Sequence, residues 1–179
     1  FAIEPTNYAF KKLTKNLNLN KDLKKNISLN QVFLSKNNKP TKVWSSWNFD
    51  NSDDKHRQHF GTLHSIKKKS YMSLTNFIKL KKIKKVDFIK LDVDGHELDV
   101  LKSGDKFLKN NKPVIFIEIA PYLYPEFGYK CSELIAHIQK LKYSFYNEDL
   151  KKIKNINSFI KKITHGSSEN FFLINDYNT

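Results

Sequence analysis

Val86-Asp87-Phe88-Ile89-Lys90-Leu91-Asp92-Val93-Asp94-Gly95-His96-Glu97 is the stretch whose reading decides the fold of this 179-residue chain. Val86 to Leu91 mixes β-branched, aromatic and leucine side chains and predicts a strand. Asp92-Val93-Asp94-Gly95 predicts a turn, because Gly95 admits a backbone conformation that other residues resist. A helix is expected from His96 to about Leu108. Pro113 to Ile119 reads Pro-Val-Ile-Phe-Ile-Glu-Ile, a nearly continuous apolar run of the kind found in a strand buried on both faces of a parallel sheet.

Beyond this unit, Ser132 to Leu141 predicts a helix, with Leu134, Ile135, Ile138 and Leu141 on one stripe. Tyr143 to Tyr146 is a strand, a lysine-rich and weakly helical stretch follows, and Asn170 to Ile174 closes the sheet. Towards the start, Leu74 to about Leu80 is a short helix begun by the Ser73 or Thr75 hydroxyl. Residues 35 to 65 are the least regular, and a loop of that length inside a domain points to function or motion. Ile27 to Leu34 is β-like. Pro5 to about Leu19 is helical, with Tyr8, Phe10, Leu13 and Leu17 at roughly helical spacing and Pro5 where a first turn tolerates it. Residues 1–3 form a short strand ending at Glu4. Strands alternating with helices predict an α/β fold with an open, mostly parallel sheet and helices on both faces. Length and the lack of a Pro/Gly/Ser linker predict a single domain over residues 1–179. Such a chain buries roughly 70% of its unfolded surface and needs no staple.

Composition narrows the function classes. The net charge of +14 invites a nucleic-acid partner, but Arg57 is the sole arginine, and bidentate phosphate and base contacts favour arginine. The lysines are spread along the chain apart from Lys67-Lys68-Lys69 and the run from Lys79 to Lys85. Solvated helix faces are therefore the expectation, and nucleic acid is not the expected partner. The single cysteine, Cys131, rules out an internal disulfide and fits a reducing, cytoplasmic compartment. No apolar run approaches the ~20 residues of a membrane span, and no signal peptide is visible.

The chemistry is expected at strand ends, where open α/β sheets bind ligands. Glu4, Asp92 and Glu118 each end a predicted strand. An acid at the position of Glu4 takes the ribose hydroxyls of an adenosine-type cofactor if a strand and helix precede Phe1. It reads equally as an acid at a helix N-terminus. In the dense turn, carboxylates crowd closely enough to call for a cation, a cationic ligand or a proton among them. Asp94 with Glu97 three residues later is read as a capping box, and Asp92 as the functional acid.

These residues carry a resemblance. Ile89 through Glu97, then Val100-Leu101-Lys102 and Pro113 through Glu118, is similar to the FkbM-type methyltransferase family. The opening Phe1-Ala2-Ile3-Glu4-Pro5, with Asn16 and Asn20 beyond it, fits as well. The resemblance implies a class I, Rossmann-like S-adenosylmethionine fold in which Glu4 is the ribose-binding acid. Asp92 would then lie beside the methyl-transfer centre, contacting cofactor or substrate, and Glu118 would join it around a hydroxyl or a divalent ion. It implies O-methylation of a sugar, glycan or related small-molecule acceptor. The family's glycine-rich turn after the first strand is missing, since Gly61, Gly95, Gly104, Gly128 and Gly166 are all isolated. The chain is accordingly read as beginning inside a strand, with its cofactor loop upstream of Phe1.

Transfer to oxygen needs a base. Of His56, His59 and His64 in the irregular segment, His59 is the choice, with His96 as an alternative. Trp44 and Trp47 are read as loop anchors. Magnesium held by Asp92 and Glu118 is a further option. Two other readings are a decayed methyltransferase-fold binding module and an RNA-binding or RNA-modifying protein. The first predicts no S-adenosylmethionine binding, and the second predicts steeply salt-dependent RNA binding.

Overall fold

The computed structural model describes residues 1–36, 42–45, 62–65 and 71–175. The chain divides into two compact units, Phe1–Met72 and Ser73–Thr179.

The first unit opens with β1 (Ala2–Ile3), then α1 (Asn7–Leu19), the short α2 (Lys21–Lys24), β2 (Leu29–Asn30) and β3 (Phe33–Leu34). β4 (Lys42–Ser45), β5 (Thr62–Ser65) and β6 (Tyr71–Met72) complete it. β1 pairs with β2 and β3 with β6, both parallel, while β4 and β5 are antiparallel. The β-like run expected over Ile27 to Leu34 is thus two strands in two different sheets, parted at Gln31-Val32. Phe33 and Tyr71 face each other across the β3–β6 pair with ring centroids 5.3 Å apart, and both are buried.

The second unit contains α3 (Leu74–Leu80), β7 (Phe88–Leu91), α4 (Glu97–Ser103), α5 (Asp105–Asn111) and β8 (Val114–Ile119). A 3-10 turn at Tyr124–Phe127 leads to α6 (Cys131–Lys140), β9 (Tyr143–Tyr146), α7 (Ile156–Ile160) and β10 (Glu169–Asn175). Ser73 caps α3 by accepting from the Asn76 amide, which settles the two hydroxyls proposed for that start. The helix expected from His96 to Leu108 is two helices meeting at Gly104. A Cβ there would run into the Leu74 side chain, so this glycine lets α3 press on the α4–α5 joint. Ser103 ties the same contact, its hydroxyl accepting from the Leu74 amide at 2.9 Å and donating to the Val100 carbonyl at 2.7 Å.

The sheet runs β7-β8-β10-β9. Only β7–β8 is parallel; β10 is antiparallel to both β8 and β9. The mostly parallel sheet expected from the alternation of elements is therefore a mixed one. After β9 the chain doubles back, with a bridge from Tyr146 to Lys152, and β10 returns between two strands of the opposite direction. Such a return needs no helical crossover.

β8 departs from its reading too. Ile115, Ile117 and Ile119 are fully buried, whereas Val114, Phe116 and Glu118 are half-buried. The strand has one core face rather than two. On the other face Phe116 packs on Phe172 at 4.7 Å between centroids. Ile115 and Ile117 meet Leu173 and Phe171 in the register of the sheet. Each such side chain contributes about 2 kcal/mol of burial, and this layer anchors the strand ends that carry the site. α6 lays its apolar stripe, Leu134, Ile135 and Ile138, against α4 and β9. Among the described residues no helix is long and apolar enough to cross a membrane.

Candidate active site

β7 and β8 are parallel, with Leu91 opposite Ile117, so their carboxyl ends open on the same rim. Asp92 follows the last residue of β7 and comes level with Glu118 near the end of β8. The chain then turns through two left-handed residues, Asp94 at φ 47° and Gly95 at φ 95°. This brings Asp94 back to the rim, and one carboxylate oxygen each from Asp92, Asp94 and Glu118 lies within 4.8 Å of the others.

One cation and one hydroxyl balance this charge unevenly. Lys90 Nζ pairs with Asp92 Oδ2 at 2.5 Å. The Ser168 hydroxyl donates to Glu118 Oε1 at 2.5 Å from the segment just before β10. Burial pushes the pKa of Asp92 up, but the Lys90 ammonium and a hydrogen bond from Glu118 outweigh it and hold Asp92 below the usual range. Glu118 moves the other way. Burial raises its pKa, the Ser168 hydroxyl opposes, and the neighbouring Asp92 charge raises it further. The two neighbouring acids are thus driven apart, Asp92 towards the ionised form and Glu118 towards holding its proton more tightly. Tyr122 borders the same rim: partial burial raises its phenol first, and the charges of Glu118, Asp94 and Glu126 add to it.

The turn is held from the side away from the rim. The Tyr129 hydroxyl donates to the Gly95 carbonyl at 2.7 Å. The Phe127 ring occupies the space that a Cβ on Gly95 would need. It also packs on the His96 ring at 4.3 Å. Glu97 lies underneath, 2% exposed, its Oε1 accepting from the Val93 and Gly95 amides at 3.3 Å each. Burial raises Glu97 from 4.5 to about 7, against the backbone bonds it accepts and with a smaller push from Asp94.

The expected capping box is therefore absent. The residue preceding α4 is His96, which makes no side-chain cap. Glu97 bonds backward to the turn instead, and Asp94 joins the acids. Being short and polar, aspartate tolerates the left-handed conformation that a following glycine continues. His96 is buried against Phe127 and so is placed in the clamp rather than on the rim as a base. Burial and Glu97 push the Cys131 thiol up to about 11, which leaves it a poor nucleophile.

Glu4 lies in the first unit, directly after β1. Its Oε1 accepts from the Thr6 amide at 2.7 Å and the Thr6 hydroxyl at 2.6 Å, so the acid secures the entry to α1. A carboxylate has lone pairs beyond those two bonds, and its chemistry suits ribose hydroxyls. His56, His59 and Trp47 lie outside the described residues. Trp44 and His64 fall in β4 and β5, whose backbone alone is described.

Sequence reasoning brought Asp92 and Glu118 to one rim and missed four partners there. Asp94 carried a signal, since Asp-Gly after a strand favours paired left-handed residues. Lys90 carried another, being two residues from Asp92 on a strand and so on the same face. Ser168 and Tyr122 carried none, because long-range pairing and a loop place them.

The arrangement suits two chemistries. Two neighbouring carboxyls whose pKa values are pushed apart, beside an ammonium, can exchange a proton with a hydroxyl. Three hard oxygen donors can also gather a magnesium-like cation, and Asp92, Asp94 and Glu118 are the residues that would hold it.

No curated protein matches the chain. Among solved structures, methyltransferase FkbM from Methylobacillus flagellatus KT shares its fold. The TM-score is 0.53 at 15% identity, over 96% of this chain and 35% of the other, so this chain spans about a third of that protein. The methyltransferase FkbM domain matches residues 1–145. With the signature residues at the strand ends and the match covering most of its length, the chain belongs to the FkbM methyltransferase domain family.

Proposed function

We propose that this domain takes part in S-adenosylmethionine-dependent methylation of a hydroxyl oxygen on a sugar, glycan or related small metabolite. The observation that carries the reading is the cluster of Asp92, Asp94 and Glu118 carboxylates, with one oxygen of each within 4.8 Å of the others, at the ends of two parallel strands. When bound, S-adenosylmethionine supplies an electrophilic methyl group on a sulfonium. The residues of this chain do the rest. Glu4 binds the ribose hydroxyls. Asp92, kept ionised by Lys90, orients the acceptor hydroxyl by accepting its hydrogen bond and takes up its proton as the methyl group arrives. Glu118, steadied by Ser168, tunes that carboxylate by its proximity. In-line placement of the acceptor accounts for most of the rate such a site supplies.

His59 remains the histidine proposed to help with the proton. Magnesium on Asp92, Asp94 and Glu118 would polarise the hydroxyl in its place. Family membership supports the methyl donor, and the acidic rim supports an acceptor bearing hydroxyls.

Asp92→Ala in the whole protein tests this. Transfer to a hydroxylated acceptor should be abolished while the fold, followed by circular dichroism, stays intact. Turnover at the wild-type rate would sink the assignment.

A further inference from the structure

Glu97 is an expensive residue for its place. It is 2% exposed, and its Oε2 has no hydrogen-bond partner. A buried carboxylate oxygen left without a partner carries a desolvation cost, so its presence here calls for a compensating role. The groups facing it are Asp94 on its own turn, Tyr124 and Tyr129 after β8, and Cys131 on α6. None of these is a cation, and among the described residues no ion pair accounts for the burial.

Its other oxygen is fully used. Oε1 takes both the Val93 and the Gly95 amide, the two flanking Asp94. Asp94 holds a left-handed backbone at φ 47°, which is unfavourable for a residue with a Cβ and persists only where its surroundings impose it. Tyr129 and Phe127 restrain Gly95, but the amide bonds on both sides of Asp94 come from Glu97.

We propose that Glu97 is a positioning residue: by gripping the Val93 and Gly95 amides it fixes the left-handed turn and keeps the Asp94 carboxylate on the rim with Asp92 and Glu118. Its kinetic consequence rests on the methyltransferase reading above; its structural consequence does not.

The test uses the whole protein with Glu97→Ala, Glu97→Asp and Glu97→Gln. Glutamine keeps an acceptor for the two amides, alanine removes it, and aspartate is one methylene too short. The primary readout is the Tyr122 phenol titration by NMR, because Asp94 is one of the charges that raise it. Alanine and aspartate should lower the Tyr122 pKa and speed amide exchange at Val93 and Gly95, while glutamine should leave both near wild type. In the enzyme assay, alanine should cut kcat by about tenfold or more with KM for S-adenosylmethionine held within about twofold, and glutamine should restore it. If alanine prevents folding, the aspartate variant carries the test. A wild-type Tyr122 titration in alanine or aspartate, with the two amides exposed, would overturn the proposal. Loss of the Tyr122 shift in a protein whose wild type methylates no acceptor would uphold Glu97 and retire the methyltransferase reading instead.

Discussion

The turn after β1 and the turn after β7 begin alike, with a strand ending in an acid and a helix following within a few residues. At the first, Glu4 folds onto Thr6 two residues ahead, and its short-range bonds settle the helix start. At the second, Asp92 is pulled between Lys90 and Glu118, and Asp94 is carried back to join them. One acid is satisfied by its own chain neighbours; the other is divided between Lys90 two residues back and Glu118 on a strand 26 residues away in sequence, which Ser168 holds in turn. An acid content with its local partner makes a cap or a binding group. An acid in competition with another acid has its pKa displaced, and displaced pKa values are what proton-transfer sites use.

The contrast is sharpest in activity. Asp92→Ala should lower methyl transfer about a thousandfold, whereas Glu4→Ala should act chiefly on KM for the cofactor and spare kcat. Steady-state kinetics on both variants decide it, and equal losses of kcat would erase the distinction between the two turns.

A smaller effect separates them by pH. Burial raises Glu97 from 4.5 to about 7, so between those values the folded chain holds a proton that the unfolded chain has released. Stability therefore falls as pH rises through that window and levels off above it. The full span is about 3 kcal/mol, and urea midpoints from pH 4.5 to 8 should follow it. Glu97→Gln should flatten the curve; an unchanged slope would mean the pKa of Glu97 is not raised.

Gly95→Ala should destabilise by about 2 kcal/mol, since the new Cβ meets the Phe127 ring and φ is 95°. Thermal melts read it, and Gly95→Ala combined with Phe127→Ala should recover part of the loss. The smallest effect belongs to the first turn. Thr6→Val removes one hydrogen bond to Glu4 and should cost about 1 kcal/mol in the same assay, with no change in kcat.

Local signals carried most of the elements. The helix over Asn7–Leu19, the Ser73 cap, β9 and the βαβ order from Phe88 to Ile119 follow from periodicity, caps and β-branched runs. The misreadings were of another kind. Ile27 to Leu34 looked like one strand because alternation does not say where a chain changes partners. Pro113 to Ile119 looked buried on both faces because apolar composition alone cannot separate a core face from one covered by Phe116 and Phe172. Glu97 looked like the far end of a capping box because its spacing from Asp94 allows one. The burial of that carboxylate against Tyr124 and Tyr129 sent it to the turn instead.

By itself, the amino-acid sequence determined that this is an α/β chain, that acids end its strands, and that the Asp92 motif places it near FkbM methyltransferases. Those properties are local: they depend on side chains within a few residues of one another and on the backbone they favour. Only the tertiary structure decided that β10 enters antiparallel between β8 and β9, that Ser168 reaches Glu118, and that Asp94 joins the rim while Glu97 is buried beneath it. Those depend on contacts between residues far apart in the chain, where burial and charge act only after the chain has closed upon itself.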